Sequence, residues 1–149
     1  MQILNIVSGQ ISNSRLYSLV VWVHNFTGKP DVASITIANK SNNYNYNGLA
    51  TYRPRTIKIN IGKKLLSMRY YREISNGKKV LIDPCGVEET LICALAHEMY
   101  HLKLGGEFHK KVHQIEYEAL QEWRKTHKSN KVKRFVLAVA TFFLVRMEY

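Results

Sequence analysis

Apolar and polar residues alternate in two stretches of the chain, which is the pattern of strands that are buried on one face. These stretches are residues 33–38 and residues 56–61. Shorter strand patterns occur at residues 49–52 and 79–82. Residues 41–48 are rich in Ser, Asn and Gly, so we expect a polar loop there. The alternation predicts a small β-sheet in the chain before residue 83.

Two helical patterns flank this sheet. Residues 14–25 are apolar enough for a helix, with Ser14 as its N-cap and the Gly28-Lys29-Pro30 sequence as its end. The second pattern opens after Pro84 and ends at the Gly105-Gly106 pair, because glycine readily adopts the left-handed conformation that terminates a helix. One side of this helix carries three leucines that we expect in the core, namely Leu91, Leu95 and Leu102.

A third helix is predicted from residue 107 to residue 125. Its apolar residues recur at a spacing close to 3.6 and form a stripe of Phe108, Val112, Ile115, Ala119 and Trp123. One helix, a small sheet and two further helices predict an α+β domain. We assign this domain to residues 1–130, with the basic and apolar residues 131–149 as an extension packed on it.

The length and composition fit one intracellular domain. The chain has 149 residues, of which 46% are hydrophobic, and this is enough for a single core. Its two cysteines, Cys85 and Cys93, are too few for a disulfide framework or a four-cysteine zinc module, and they favour a reducing, cytoplasmic location. The apolar run at residues 135–145 is shorter than the ~20 residues that span a bilayer, so no transmembrane span is predicted.

The charge of the chain bears on its partners. The formal net charge is +11, from 22 Lys and Arg against 11 Asp and Glu. Such an excess favours polyanionic partners such as nucleic acid or an anionic membrane surface. No base-reading motif accompanies the charge, so contact with nucleic acid would be non-specific. A basic but otherwise ordinary protein surface is the alternative.

Residues 97–101 read His-Glu-Met-Tyr-His, an HExxH motif within the second predicted helix. His101 follows His97 by about one helical turn, so both imidazoles point the same way and can bind one Zn²⁺ ion. Zinc lowers the pKa of a bound water towards ~7, and Glu98 can take the proton of that water as a general base. The motif predicts peptide-bond hydrolysis, and two histidines beside an unrelated glutamate are the alternative. Room for metal and substrate is expected at the small residues of the same helix face, Thr90, Cys93 and Ala94.

Residues 90–116 resemble the SprT-like (Spartan-type) zinc metallopeptidases. After the motif, Gly105-Gly106-Glu107-Phe108 is similar to the family's G-x-E-F segment, and His113-Gln114-Ile115 follows as the family's H-x-I does. Before it, Ile57-Lys58-Ile59-Asn60 matches the family's I-x-I-N strand, and residues 49–54 resemble the strand ahead of that one. The resemblance implies a compact zincin-like domain, a zinc metalloendopeptidase activity and a protein substrate at or near DNA.

The third zinc ligand is where this chain departs from the family, which has a histidine at the position of Leu104. A catalytic zinc needs three protein ligands and one open position. The candidates in the following segment are Glu107, His109, His113 and Glu116. His109 and Glu116 both lie at the edge of the apolar stripe, and His109 lies in the first turn of its helix. We therefore predict that His109 joins His97 and His101, with Glu116 as a gluzincin-like alternative.

Two other functions compete with that of a zinc peptidase acting near DNA. A non-catalytic binding or structural protein could keep the fold and the metal without turnover. A peptidase of the same type could act on targets that have no link to nucleic acid. Measuring metal content together with hydrolysis distinguishes the non-catalytic alternative from a zinc peptidase. The DNA dependence of cleavage distinguishes a peptidase that acts near DNA from one that does not.

Overall fold

The computed structural model describes residues 1–39, 48–62, 69–106 and 108–146. For residues 128–146 it describes the backbone only. Most of the loop predicted at residues 41–48 lies outside the described residues, as does Glu107. The described chain is of the α+β class, as predicted. Its elements in chain order are β1 (Gln2–Asn5), α1 (Asn13–Phe26), β2 (Ser34–Asn39), β3 (Gly48–Tyr52), β4 (Arg55–Ile61), β5 (Tyr70–Glu73), β6 (Lys79–Ile82), α2 (Gly86–Leu104) and α3 (His109–Arg146).

Four of the described strands form the main sheet, in the order β1-β2-β4-β3. β1, β2 and β4 run parallel, whereas β3 is antiparallel to β4 and lies at the edge. β5 and β6 form a separate two-stranded antiparallel hairpin. The four predicted strands, which correspond to β2, β3, β4 and β6, are confirmed to within one residue at each end. β1 and β5 are additional strands of four residues each.

The first helix, α1, begins at Asn13 and is capped by Ser12, so the prediction of Ser14 as N-cap is wrong. Ser12 has an extended backbone (φ −67°, ψ 155°), and its hydroxyl accepts a hydrogen bond from the Arg15 N–H at 3.3 Å. Ser14 lies inside the first turn, where its carbonyl accepts a hydrogen bond from Ser18. An N-cap residue needs an extended backbone for its side chain to reach the free N–H groups of the first turn. Ser12 has that backbone and therefore caps the helix in place of Ser14.

One hydrophobic core joins α1, α2 and the main sheet. β4 contributes alternate residues that are fully buried, namely Ile57, Ile59 and Ile61. α2 contributes the three leucines expected from the sequence, Leu91, Leu95 and Leu102, which are all buried. Because α2 packs on the sheet through these residues, the HExxH motif on the same helix is held in a fixed orientation.

The last helix, α3, is much longer than predicted. It runs to Arg146, so the predicted end at residue 125 is wrong. The chain has no Gly or Pro after Gly106, and without such residues nothing in the sequence forces the helix to end. The predicted boundary at residue 130 falls within this continuous helix, and the packing of residues 131–149 stays a prediction. Among the described residues, no helix combines the length and apolar character needed to cross a membrane.

The start of α3 also differs from the prediction. Phe108 precedes the helix and is 53% exposed, so it does not belong to the buried stripe. The other predicted members of the stripe are buried or half-buried, namely Val112, Ile115, Ala119 and Trp123. A second, smaller cluster between α3 and the β5–β6 hairpin includes Leu120 and Ile82. α3 therefore packs on both α2 and the hairpin.

An ion-pair network joins α3 to the start of α2 through Arg124. Its guanidinium donates to the Asp83 carboxylate at 3.0 Å, to the Asp83 carbonyl at 2.9 Å and to the Glu89 carboxylate at 2.7 Å. Burial alone would raise the pKa of Glu89, but the hydrogen bonds from Arg124 and from the Cys85 N–H lower it below its usual value of 4.5. The charged form of Glu89 is thus the one that stabilises the fold.

Replacing Arg124 by methionine is expected to lower the free energy of unfolding by about 2 kcal/mol at pH 7, because two partly buried carboxylates lose their partner. The depressed pKa of Glu89 contributes stability above pH 4.5, and this contribution disappears as the pH falls through the folded-state pKa. The difference in the free energy of unfolding between wild type and variant should therefore become smaller below pH 4.5. Urea unfolding at pH 7 and at acid pH measures it, with Lys125→Met, at a side chain that is 76% exposed, as the control. An equal loss of stability in both variants would contradict the role of Arg124.

Candidate metal centre

The two motif histidines on α2 bring one nitrogen each to the same point. The Nε2 atoms of His97 and His101 are 3.2 Å apart. In a tetrahedral zinc site with Zn–N bonds of ~2.0–2.1 Å, two nitrogen ligands are about 3.3 Å apart. The spacing of the two Nε2 atoms therefore fits a pair of ligands to one metal ion, as the helical period of the motif predicts.

Each of the two imidazoles has an acceptor at its other nitrogen. His97 Nδ1 lies 3.1 Å from Glu116 Oε2, and His101 Nδ1 lies 3.3 Å from the Gly106 carbonyl. A histidine that donates its Nδ1–H to such a partner has the Nε2 lone pair free for a metal, and the partner also fixes the orientation of the ring. Glu116 and the Gly106 carbonyl thus orient both rings so that their Nε2 atoms could bind a common ion.

The carboxylate of Glu116 changes the proton affinity of His97 in the metal-free chain. Burial alone would lower the pKa of His97, but the hydrogen bond and the charge of Glu116, with help from Glu98, raise it above its usual value. Tyr70 donates a hydrogen bond to the second oxygen of Glu116. Both oxygens of this buried carboxylate therefore have partners, one of which is the histidine.

His109, the predicted third ligand, lies close to the pair. The ligand atoms of His97, His101 and His109 all lie within 4.8 Å of one another. His109 is the first residue of α3 and is exposed, and its ring centroid is 5.1 Å from that of His101. The turn at Gly105, whose φ of 73° ends α2, reverses the chain so that the start of α3 returns beside the motif. The described residues thus bring together three side chains that could hold a metal ion.

A second group of possible ligands shares one residue with the first. It consists of His97, His113 and Glu116, whose ligand atoms also lie within 4.8 Å of one another. Burial is the main reason that the pKa of His113 is lowered, and its ring is hydrogen-bonded to the backbone of Glu73. Because Glu116 is bonded to both His97 and Tyr70, a role as orienting partner fits its contacts better than a role as ligand.

Glu98 lies beside these histidines and is almost completely buried, with 9% of its surface exposed. Burial raises its pKa; His97 and the backbone N–H of Ala50 act in the opposite direction, while Glu116 adds to the rise. The edge strand β3 passes so close that a Cβ atom at Gly48 would lie 2.5 Å from the Glu98 carboxylate. A side chain at residue 48 would therefore force the Glu98 carboxylate to move from this position.

The turn between β3 and β4 fixes the C-terminal end of α2. The Tyr52 hydroxyl donates to the His101 carbonyl at 3.1 Å, and the Arg55 guanidinium donates to the Leu102 carbonyl at 2.7 Å. Carbonyls in the last turn of a helix often lack a partner within the helix, and Arg55 supplies one for Leu102. The His101 carbonyl accepts from the Gly105 N–H at 3.0 Å as well as from Tyr52. The contacts of Tyr52 and Arg55 also tie the edge strand to the helix that carries the motif.

A cavity of about 210 Å³ opens next to His97 and Glu98. The small residues predicted to leave room on this helix face, Thr90, Cys93 and Ala94, do line it. Tyr70 and Arg72 of the hairpin close the cavity on another side. Cys93 is 2% exposed, packs in the cluster with Leu120 and belongs to neither group of possible metal ligands among the described residues.

Of the residues proposed from the sequence, His97, Glu98, His101 and His109 come together, and His113 and Glu116 lie next to them. Glu107 lies outside the described residues. No sequence pattern indicated that Glu116 and Tyr70 would contact each other, because 46 residues separate them. The β5 strand that carries Tyr70 has too weak a pattern to be predicted.

Comparison with known protein families, curated proteins and solved structures finds no match for this chain. The described residues define an α+β domain with a cluster of histidine and glutamate side chains that could hold a metal ion. This cluster, the buried Glu98 and the adjoining cavity are the features that bear on function.

Proposed function

We propose that this chain is a zinc-dependent metalloendopeptidase with a zincin-like fold of the SprT-like type. His97, His101 and His109 hold Zn²⁺, and Glu98 is the general base. The observation that carries the proposal is the 3.2 Å separation of the His97 and His101 Nε2 atoms, with each Nδ1 atom bonded to an acceptor. Three imidazoles are a donor set that zinc favours, and catalytic sites use such a set with a fourth position open.

The chemistry follows from the residues around the ion. When bound, zinc supplies a Lewis acid that activates water and polarises a peptide carbonyl. Glu98 accepts a proton from the attacking water and returns it to the leaving nitrogen as the C–N bond breaks. Because Glu98 is buried against Gly48 and receives a hydrogen bond from the Ala50 N–H, its carboxylate has little freedom to turn away from the reacting atoms. Glu116 holds His97 in the orientation for metal binding.

Metal removal tests this proposal. Protein stripped by a chelator is expected to leave unfolded casein intact, and one equivalent of zinc should restore cleavage because both the Lewis acid and the activated water depend on the ion. Magnesium is the control, since it prefers oxygen ligands to imidazole. Zinc binding without any hydrolysis would favour the non-catalytic alternative. Hydrolysis that survives complete metal removal would contradict the proposal.

We further propose that the substrates are proteins at or near DNA, in a reducing, cytoplasmic compartment. The net charge of +11 supports contact with a polyanion, and two cysteines without a disulfide support the compartment. Binding to DNA would then be weak, non-specific and dependent on salt. Cleavage of a DNA-bound protein, compared with the same protein alone, distinguishes this substrate from one unrelated to nucleic acid.

The salt dependence of DNA binding should respond to the basic residues of α3. Replacing Lys128, Lys131, Lys133 and Arg134 together by alanine is expected to flatten the slope of log affinity against log salt by about one unit for each phosphate that is no longer bound. A salt titration with fluorescent duplex DNA measures this slope. The control variant removes the same charge from exposed positions outside α3, namely Lys29, Arg53, Lys78 and Lys79. If the slope changes only in the control variant, the DNA-binding surface lies outside α3.

A further inference from the structure

Arg72 brings a positive charge to the cavity beside Glu98. It lies on β5, two residues after Tyr70, so both side chains are on the same face of the strand. Both line the cavity together with His97 and Glu98. The Arg72 guanidinium lies over the Tyr70 ring at 4.7 Å, and the Tyr70 hydroxyl is bonded to Glu116. These contacts hold the guanidinium at the cavity without neutralising its charge.

The nearby carboxylates of the described residues have other partners. Glu116 is bonded to His97 and Tyr70, and Glu98 receives the Ala50 N–H. Glu73, the residue after Arg72, pairs with Lys110 at 2.6 Å. Among the described residues, Arg72 itself has no carboxylate within ion-pair distance. Its planar fork of N–H groups is therefore available for a carboxylate that comes from outside the chain.

The size and lining of the cavity limit what can bind there. A volume of about 210 Å³ is below the ~300–1,000 Å³ of ordinary small-molecule pockets, so it has room for a side chain or a chain end. Its floor consists of the small residues Thr90, Cys93 and Ala94 of α2. The Thr90 hydroxyl is bonded to the Gly86 carbonyl. Among the described residues that line the cavity, Arg72 is the one arginine or lysine.

We propose that Arg72 binds a substrate carboxylate in this cavity, and that the protein therefore prefers peptides with a carboxylate next to the scissile bond. The inference rests on the proposed peptidase function, because the cavity adjoins Glu98 and the metal ligands. The carboxylate belongs either to an Asp or Glu side chain or to a free C-terminus. Both offer the same two oxygens to the guanidinium, and peptides can be made that contain one without the other.

Peptide binding to the zinc-loaded Glu98→Gln variant tests the inference without turnover. The first pair of fluorescent peptides has blocked ends and carries Glu or Gln at the same position. The second pair has neutral side chains and a free or an amidated C-terminus. A charge-assisted contact of this kind is expected to make the carboxylate peptide of one pair bind about tenfold more tightly than its amide partner. The pair that shows the difference identifies the source of the carboxylate.

Variants of Arg72 decide whether this side chain is responsible. In the Glu98→Gln background, Arg72→Gln should abolish the carboxylate preference, and Arg72→Glu should reverse it in favour of a peptide with Lys at that position. Arg69→Gln is the matched control, because it removes an exposed arginine that precedes the same strand and is not among the residues that line the cavity. A preference that survives Arg72→Gln would come from the metal itself and would overturn the role of Arg72. Equal binding of carboxylate and amide peptides would overturn the inference as a whole.

Cleavage by the zinc-loaded wild-type protein separates this inference from the proposed function. If the carboxylate peptides bind through Arg72 and are not cleaved, recognition stands and the peptidase function fails. If peptides are cleaved while neither pair shows a preference in binding, the peptidase function stands and the role of Arg72 fails. Cleavage with a preference that Arg72→Gln removes supports both.

Discussion

Replacing Glu98 by glutamine is expected to lower the rate of peptide hydrolysis by about 10²–10⁴-fold and to leave zinc bound. Glutamine has nearly the same shape as glutamate but cannot accept a proton from the attacking water. The position next to Gly48 should accommodate it, because the Ala50 N–H can still donate to the amide oxygen. Zinc should be retained because the proposed ligands are the histidines.

Two measurements on the same sample test this separation of functions. Zinc content is measured after mild dialysis, and the rate is measured on a fluorescent peptide with single-turnover amounts of substrate. Glu118→Gln is the matched control, since it makes the same chemical change at an exposed position of α3. Cleavage by Glu98→Gln at the wild-type rate would sink the assignment of the general base. A variant that no longer retains zinc would show instead that Glu98 takes part in metal binding.

Replacing His97 and His101 together by alanine is expected to abolish stoichiometric zinc binding. The wild type should retain about one zinc per chain, because three imidazoles and an open position complete a catalytic site. Of the three proposed ligands, the double variant keeps only His109, and one exposed imidazole does not hold the ion through dialysis. Hydrolysis should disappear with the metal.

The control for this variant removes two other histidines, His24 and His127. His24 Nε2 contacts the Pro30 carbonyl at 2.9 Å, and His127 stacks on Trp123 with ring centroids 3.4 Å apart. Neither belongs to the candidate metal groups among the described residues. Circular dichroism establishes that each variant is folded. Equal zinc in the wild type and in the His97 and His101 variant would contradict the site.

The helix that carries the motif was predictable because its signals are local. A helical pattern of apolar residues spans residues 86–104, and a glycine in the left-handed conformation follows at residue 105. The spacing of His97 and His101 then fixes the relative position of their rings without any knowledge of the rest of the fold. The position of His109 followed from the same reasoning, because the Gly105-Gly106 break returns the chain beside α2.

The surroundings of the motif could not be predicted, because they depend on contacts between distant parts of the chain. Glu116 looked like a possible ligand, whereas its contacts with His97 and Tyr70 favour an orienting role. β5 carries Tyr70 and Arg72 to the site, yet its two end residues are half-buried and its two middle residues are exposed, so its burial does not alternate. Phe108 fitted the helical stripe by spacing alone and proved to precede the helix.

The central claim is that His97, His101 and His109 hold zinc, and X-ray absorption at the zinc edge tests it most directly. For the zinc-loaded wild type we predict three imidazole nitrogens and one further oxygen at ~2.0–2.1 Å. The His109→Ala variant should show one imidazole fewer, and His113→Ala should show the wild-type shell. A zinc shell that is unchanged in His109→Ala and has one ligand fewer in His113→Ala or Glu116→Ala would contradict this account.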